Sequence, residues 1–411
     1  MIEVERQQPE RVLLVGVATD DYDDAKFNLL MKELSDLTLA AGGNPVKTVT
    51  QKLARVDSRT LVGSGKLLEI EEIVNKEAIE LVITLNDLSN NMNRNLEDQL
   101  HVRVIDRVQL ILDIFALRAK SKEGKLQVQI AQYEYFLPRL SGQGKHLSRL
   151  GGGIGTRGPG ETKLESDRRH IRSQMNHARK ELANLEKHRE RNRAKRQSGR
   201  EYNIGLVGYT NAGKSTLLRE LTASETYVQD QLFATLDPLT RRFSINGHDA
   251  FTLTDTVGFI EDLPVQLIDA FRSTLEEMRY VDLLLHVVDA SSPDYYAHER
   301  VVHKLLDDLE MKNIPMITVY NKKDLVDDQF IPHNQPHILI SALDHNDLES
   351  LKSLIWDILM EASEPFSVDV QQDEADLLAL YRQKTLIQEI IFDEEKQTYR
   401  IKGFRRRLND I

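Results

Sequence analysis

Residues 201–215 read EYNIGLVGYTNAGKS, an apolar strand that runs directly into a glycine-rich loop ending in Lys-Ser. The loop matches the pattern G-x-x-x-x-G-K-[ST], and residues 216–221 continue with a helical pattern, which is the context that a phosphate-binding loop requires. Backbone N–H groups at the start of such a helix surround a phosphate, and the helix dipole attracts its charge. The stretch therefore predicts an α/β fold with a nucleotide-binding domain at its centre.

The loop supplies most of the predicted phosphate contacts. Lys214 would reach the β- and γ-phosphates as a catalytic cation, and the Ser215 hydroxyl would coordinate magnesium. We expect nucleotide contacts from all of Gly208, Tyr209, Thr210, Asn211, Ala212, Gly213, Lys214, Ser215 and Thr216.

A second motif, Asp255-Thr256-Val257-Gly258, follows the strand-like residues 251–253. Asp255 would hold magnesium through a water molecule, and the Gly258 N–H would sense the γ-phosphate. An ATPase of the same loop class would instead need an apolar strand that ends in adjacent acids, and the sequence has none. Asp255, Thr256, Val257 and Gly258 are therefore added to the predicted nucleotide site.

Two later motifs predict that the base is guanine. Asn321-Lys322-Lys323-Asp324 and Ser341-Ala342-Leu343 each follow an apolar strand. Asp324 can accept from both N1–H and N2–H₂ of guanine, an edge that adenine does not offer. Asn321 would tie this loop to the base and to the phosphate loop, the stem of Lys322 would cover the ring, and the Ala342 N–H would donate to O6. The motifs together are typical of a Ras-like GTPase of the translation-factor class.

The residues expected to close over the γ-phosphate lie in 233–241, FATLDPLTR. Thr235 is the preferred magnesium ligand, with Thr240 as the alternative. Phe259 stands where Ras has its water-orienting glutamine, and a phenyl ring cannot orient water, so we expect slow intrinsic turnover. Asn211 leaves two interpretations open: it takes part in binding a potassium ion that acts in place of an arginine finger, or it only stabilises the loop.

Composition limits the class of protein. The 411 residues are 40% apolar and 29% charged, as in a globular protein of several domains. The chain has no cysteine, which excludes disulfides and thiolate zinc sites and favours a cytoplasmic location. No apolar run approaches the ~20 residues of a transmembrane helix, and no secretory signal is apparent. We expect a monomer, with peripheral membrane contact left open.

Charge is distributed unevenly along the chain. The net charge is −11, but residues 168–200 carry 12 Lys or Arg against three acidic residues, which leaves −20 for the remainder. Residues 141–163, SGQGKHLSRLGGGIGTRGPGETK, contain eight glycines among basic side chains. A solvated linker is the simpler interpretation, whereas the adjoining basic helix favours contact with RNA phosphates. The predicted RNA-binding residues are Lys145, Arg149, Arg157, Lys163, Arg168 and Arg169.

Hydrophobic periodicity predicts four parts. An N-terminal α/β domain occupies 1–110, with strands near 11–17, 47–50, 81–85 and 102–105 and helices near 25–41, 66–75 and 92–99. Residues 111–200 form a helical hairpin whose tip is 141–163. The G domain, the GTP-binding domain, occupies 201–364. Residues 365–411 form a small α/β appendage with a helix at 377–381 and strands at 389–393 and 399–404.

The long glycine-rich segment resembles the signature of the HflX GTPases. The similarity rests on 151–165, GGGIGTRGPGETKLE, followed by Arg168-Arg169, and extends to 94–97, 106–107 and 233–241. It implies an N-terminal α/β domain, a helical hairpin and a G domain. It also implies binding of the large ribosomal subunit, with the basic loop reaching toward the peptidyl-transferase region, and splitting of stalled or stress-damaged ribosomes. A hydrophobic residue at 259 agrees with the family.

Two other functions stay open at this point. The chain could be a regulatory switch whose GTP form binds a protein effector, in which case removal of 141–163 would leave partner binding intact. It could also remodel RNA with ATP bound to the N-terminal domain, as reported for some HflX proteins, although residues 1–110 show no supporting motif. ATPase activity that survives Lys214→Ala would favour that second alternative.

Overall fold

The protein is described by a computed structural model that covers residues 9–20, 23–139, 159–197, 202–222, 232–233, 236, 238–261, 277–326 and 330–405. The chain forms two compact units. The first contains 1–184 with 230–236 and 261–272, and the second contains 185–229, 237–260 and 273–411. The predicted domain limits at 110, 200 and 364 stay predictions.

The first unit is built on a four-stranded parallel sheet in the order β2-β1-β3-β4. Helices α1 to α3 connect successive strands and cover the sheet, so seven of the eight residues of β1 are buried. The predicted strands and helices are confirmed, with ends that differ by a few residues. The elements are β1 (Arg11–Ala18), α1 (Asp24–Ala40), β2 (Asn44–Lys52), α2 (Ser64–Lys76), β3 (Leu81–Thr84), α3 (Asn90–Leu100) and β4 (Arg103–Asp106).

Three helices follow this sheet: α4 (Arg107–Arg118), α5 (Lys122–Arg139) and α6 (Pro159–Gln197). The first arm of the predicted helical hairpin is divided into two helices, because the helix is interrupted at 119–121. Ala119 has extended backbone angles, and the Ser121 hydroxyl accepts the Gly124 N–H at 2.9 Å, which begins a new helix.

Helices α5 and α6 pack against each other as the predicted hairpin requires. Ile130 meets Met175 and Ala178 in a small buried cluster, and Arg179 donates to Glu134 at 2.6 Å. The glycine-rich residues 141–158 lie outside the described residues.

The second unit contains a six-stranded sheet in the order β10-β9-β8-β5-β7-β6, in which only the β6–β7 pair is antiparallel. This arrangement confirms the Ras-like nucleotide-binding fold. Its strands are β5 (Tyr202–Gly208), β6 (Leu239–Ile245), β7 (His248–Asp255), β8 (Leu283–Asp289), β9 (Met316–Asn321) and β10 (His337–Leu339). Its helices are α7 (Lys214–Thr222), α8 (Tyr295–Asp308) and α9 (His345–Glu361).

The C-terminal part of this unit is a three-stranded antiparallel sheet, ordered β11-β13-β12, with one helix. The predicted helix and two strands are present, but β11 was missed because only one of its eight residues, Val370, is buried. Leu386 joins the core of the six-stranded sheet, and Phe404 packs against it. The elements are β11 (Glu364–Gln371), α10 (Ala375–Lys384), β12 (Leu386–Asp393) and β13 (Thr398–Arg405).

No helix within the described ranges is long and apolar enough to cross a membrane.

Because Leu386 is 1% exposed in that shared core, Leu386→Ala should lower the free energy of unfolding of the G domain by about 3 kcal/mol. Ile391 lies on the same strand but is 44% exposed, so Ile391→Ala should cost less than about 1 kcal/mol. Urea unfolding of both variants, followed by Trp356 fluorescence, measures the difference. Equal stability of the two variants would contradict this packing of the C-terminal sheet.

Candidate nucleotide-binding site

The four predicted motifs all lie at the carboxyl edge of the six-stranded sheet. They follow β5, β7, β9 and β10, four strands whose carboxyl ends point to the same side. In the sheet, β7 lies on one side of β5 and β8 lies on the other. After β7 the chain therefore crosses to the opposite side of β5, and the later strands are added there, which reverses the strand order. Ligands of open α/β sheets bind at such a reversal, outside the carboxyl ends of the strands.

Two glycines shape the phosphate loop. Gly208 has φ 153° and Gly213 has φ 97°, which favours glycine at both positions. A Cβ at Gly208 would collide with the Val287 carbonyl oxygen, and one at Gly213 would collide with the Asn321 side-chain nitrogen. The loop therefore passes close to β8 and to the base-reading loop, and both positions exclude larger residues.

Lys214 begins α7 and is buried inside this loop. Its Nζ donates to the Gly208 carbonyl at 3.0 Å and to the Tyr209 carbonyl at 2.7 Å. Burial lowers the pKa of Lys214 to about 8, although the negative charge of Asp255 opposes that change. A bound phosphate would therefore supply the opposite charge that favours the ammonium form.

A neutral histidine lies near this lysine. Burial, followed by the effects of His303 and Lys214, lowers the pKa of His286 to about 3, so the imidazole is uncharged at neutral pH. His286 therefore does not compete with Lys214 as a cation.

The predicted magnesium ligands Ser215 and Asp255 meet directly. The Ser215 hydroxyl donates to Asp255 Oδ2 at 2.6 Å, and Asp255 is fully buried. Hydroxyl and carboxylate oxygens suit magnesium, which usually keeps waters and phosphate oxygens as its other ligands. Within the described ranges, no group of three or more His, Cys, Asp or Glu side chains is arranged to hold a metal ion. The residues thus fit magnesium bound together with a nucleotide.

Of the two threonines proposed to close over magnesium, the structure describes one. Thr235 lies outside the described residues. Thr240 is part of β6, where its hydroxyl is 2.9 Å from that of Thr254 on the neighbouring strand. Because this pairing holds Thr240 in the sheet, the structure does not favour the alternative assignment.

Gly258 lies against the phosphate loop, and the next residue is fixed there by backbone bonds. A Cβ on Gly258 would come 2.8 Å from Thr210 Cγ2 and 3.0 Å from Lys214 Nζ. Thr210 N donates to the Phe259 carbonyl at 2.8 Å, and Phe259 N donates to the Gly208 carbonyl at 3.1 Å. The Phe259 ring is 3% exposed in an apolar cluster with Val207 and therefore contributes to the core.

The side chains of Thr256 and Val257, predicted to contact nucleotide, are buried. The Thr256 hydroxyl donates to the Leu206 carbonyl at 2.9 Å and so ties the segment that follows β7 to β5. Only the backbone of these two residues remains a candidate for nucleotide contact.

Asn321 joins the base-reading loops to the phosphate loop. Its Nδ2 donates to the Ala212 carbonyl at 3.0 Å, and its Oδ1 accepts the Ala342 N–H at 2.9 Å. Ala342 N–H therefore already has an acceptor in Asn321 Oδ1. Donation to guanine O6, as predicted, would either share this N–H between the two acceptors or replace the bond to Asn321. Ser341 Oγ donates to Asp324 Oδ1 at 2.7 Å, and Leu343 is 73% exposed at the end of this loop.

Two carboxylates of this region were missed in the sequence. Lys322 has a left-handed backbone, φ 65°, and its Nζ donates to Asp289 Oδ2 at 2.7 Å. Lys323 Nζ donates to Asp347 Oδ1 at 2.9 Å. Asp289 could have been found, because it is a charged residue at the carboxyl end of a buried parallel strand. Asp347 follows the Ser-Ala-Leu motif by four residues and carries no such signal.

The predicted RNA-binding residues are only partly described. Arg169 is exposed on α6 and Arg168 is half-buried there, whereas Lys163 lies in α6 with a side chain outside the description. Lys145, Arg149 and Arg157 lie outside the described residues.

Three family descriptions match consecutive parts of the chain. "GTP-binding GTPase N-terminal" matches residues 29–116, "GTP-binding GTPase Middle Region" matches 118–196, and "50S ribosome-binding GTPase" matches 203–322.

Two curated relatives share the name "GTPase HflX". The protein from Alkalihalophilus pseudofirmus is 49% identical over 404 residues, which cover 98% of this chain and 95% of the relative. The protein from Escherichia coli is 43% identical and covers 72% of this chain and 70% of its own length. The solved structure "SsGBP and GDP complex" covers 86% of this chain and 99% of its own, with 23% identity and a TM-score of 0.50. That structure supports the fold alone.

The pKa of Lys214 makes nucleotide affinity depend on pH. With a pKa of about 8, Lys214 is mostly charged at pH 7 and mostly neutral at pH 8.5 in the nucleotide-free protein. Bound phosphate holds the charged form, so binding takes up a proton at alkaline pH. GDP affinity should fall about fourfold from pH 7 to pH 8.5. Calorimetry at pH 8.5 in buffers of different ionisation enthalpy measures the proton uptake, and its absence would contradict the role of Lys214.

Proposed function

The chain belongs to the HflX family of GTPases, and we propose that it uses GTP hydrolysis to split or rescue stalled ribosomes after binding the large subunit. The protein binds guanine nucleotide and hydrolyses GTP to GDP and phosphate. The main support for the proposal is one arrangement: a phosphate loop and a guanine-reading loop joined through Asn321, in a domain that matches the "50S ribosome-binding GTPase" family over 203–322.

We assign the site residues to the following steps. The N–H groups of the phosphate loop and the Lys214 ammonium bind the β- and γ-phosphates, and Asp324 accepts from guanine. Ser215, Thr235 and Asp255 would hold magnesium, which when bound neutralises charge on the phosphate oxygens. We assign the Gly258 N–H to the γ-phosphate, and the close approach of this glycine to Lys214 Nζ supports the assignment. Water then attacks the γ-phosphorus, and the bond to the β–γ bridging oxygen breaks.

No side chain at position 259 orients that water, because the Phe259 ring is part of the apolar core. Efficient hydrolysis therefore requires a group that a partner supplies or that residues 233–241 bring into place. The large ribosomal subunit is the partner that the family description suggests. The role of potassium at Asn211 stays a prediction, and equal hydrolysis rates in potassium and sodium buffers would exclude it.

The basic hairpin is the proposed RNA contact. Residues 168–200 carry nine more basic than acidic side chains, and the helix Pro159–Gln197, which bears most of them, follows the glycine-rich residues 141–158 in the chain. Lysine and arginine bind RNA phosphates by displacing counterions, and glycine allows the backbone to approach them. The contact residues we propose are Lys145, Arg149, Arg157, Lys163, Arg168 and Arg169.

The test is GTP turnover with and without purified large ribosomal subunits. We expect strong stimulation of the unaltered protein, and stimulation weakened by deletion of 141–163 or by alanine at Arg149, Arg157 and Lys163. A matched variant with alanine at Lys304, Lys312 and Lys396, all exposed lysines elsewhere, should keep it. Absence of stimulation in the unaltered protein would contradict the ribosome proposal and favour a protein effector.

A further inference from the structure

The second guanine-reading loop has little backbone support of its own. It follows β10, an edge strand whose three half-buried residues pair with Thr318–Tyr320 of β9. Beyond the strand ladder, the described backbone bonds that join this segment to β9 and to the loop after β9 end at Ile340, one residue before the second loop: Lys323 N donates to the Ile340 carbonyl at 3.0 Å, and Ile340 N donates to the Tyr320 carbonyl at 2.8 Å. The position of residues 341–343 therefore depends on side-chain contacts.

One carboxylate contacts both loops at once. Asp347, in the first turn of α9, accepts the Ser341 N–H through Oδ2 at 2.8 Å. Its Oδ1 accepts Lys323 Nζ at 2.9 Å. The Asp347 side chain is 17% exposed, so water screens these bonds less than it would on an open surface.

These contacts keep Asp347 ionised. Partial burial opposes its charged form, but the bonds from Ser341 N–H and Lys323 outweigh burial and lower the pKa of Asp347. Asp347 thus presents a charged acceptor to both loops at neutral pH, and hydrogen bonds to a charged group are stronger than neutral ones.

Ser341 transmits this contact to the residue assigned to guanine. Its backbone N–H is held by Asp347, and its hydroxyl donates to Asp324 Oδ1 at 2.7 Å. Lys323, which donates to Asp347 Oδ1, is the immediate neighbour of Asp324 in the chain. Asp347 therefore restrains the Asp324 carboxylate from two sides, through Ser341 and through Lys323. Because both oxygens of Asp347 are engaged in these bonds, its effect on the base is indirect.

We propose that Asp347 is a positioning residue for guanine selection. It holds Ser341 and Lys323 so that the Asp324 carboxylate and residues 341–343 face the base edge together. The inference rests on the proposed role of Asp324 and is independent of the ribosome proposal.

The test compares affinities for GDP and for inosine diphosphate, which lacks the 2-amino group that Asp324 accepts from. Asp347→Asn should weaken GDP binding about tenfold and lower the GDP-to-inosine-diphosphate affinity ratio about fivefold. Lys323→Met should act in the same direction but less strongly, and it should fold because Lys323 is half exposed. Glu349→Gln removes one charge from the same helix without touching either loop and should change neither quantity.

The ratio separates positioning from a merely structural role. If Asp347→Asn and Lys323→Met weaken both nucleotides equally and leave the ratio unchanged, the inference is overturned. Asp324→Ala, measured alongside, distinguishes this failure from failure of the site assignment. A wild-type ratio in Asp324→Ala would mean that Asp324 does not read guanine. If Asp324→Ala loses the preference for GDP over inosine diphosphate while Asp347→Asn and Lys323→Met keep the wild-type affinity ratio, only the role of Asp347 is rejected.

Discussion

The nucleotide site depends on the side-chain amide of Asn321, which joins the loop that reads the base to the loop that binds phosphate. Its nitrogen reaches the Ala212 carbonyl across Gly213, where any Cβ would block the path, and its oxygen holds Ala342 N–H. One side chain therefore sets the distance between phosphate and base recognition. The strands beneath bring these loops to the same edge of the sheet, because β5, β9 and β10 run parallel to one another.

The fixed position of Phe259 bears on GTP hydrolysis. Phe259 is fixed twice: its backbone pairs with Gly208 and Thr210, and its ring is buried with Val207. The segment that in other GTPases orients water is thus used here to hold Gly258 beside Lys214. We therefore expect such a site to bind nucleotide with its own residues but to hydrolyse GTP slowly by itself. On the proposed function, a partner that contacts residues 233–241 would supply the missing group.

Sequence reasoning succeeded where a motif carries its own geometry. The phosphate loop, Asp255 and Asn321 could be placed because a strand ending in those residues leaves few alternatives for their backbone. It failed where contacts join distant segments. No sequence signal marks Asp347, which accepts from Lys323. Asp289 could be recognised at the end of its buried strand, but no local pattern predicts its contact with Lys322. Strand β11 was missed because its stability comes from pairing with β13, while only Val370 is buried.

The most direct test of the account asks whether the guanine site powers the ribosome-directed activity. Asp324→Asn exchanges the acceptor for a group that suits xanthine better than guanine, so turnover stimulated by large subunits should be lost with GTP and recovered with xanthosine triphosphate. That recovery would place base recognition at Asp324 and tie the same site to the ribosome. Undiminished stimulated GTP turnover by Asp324→Asn would contradict the account.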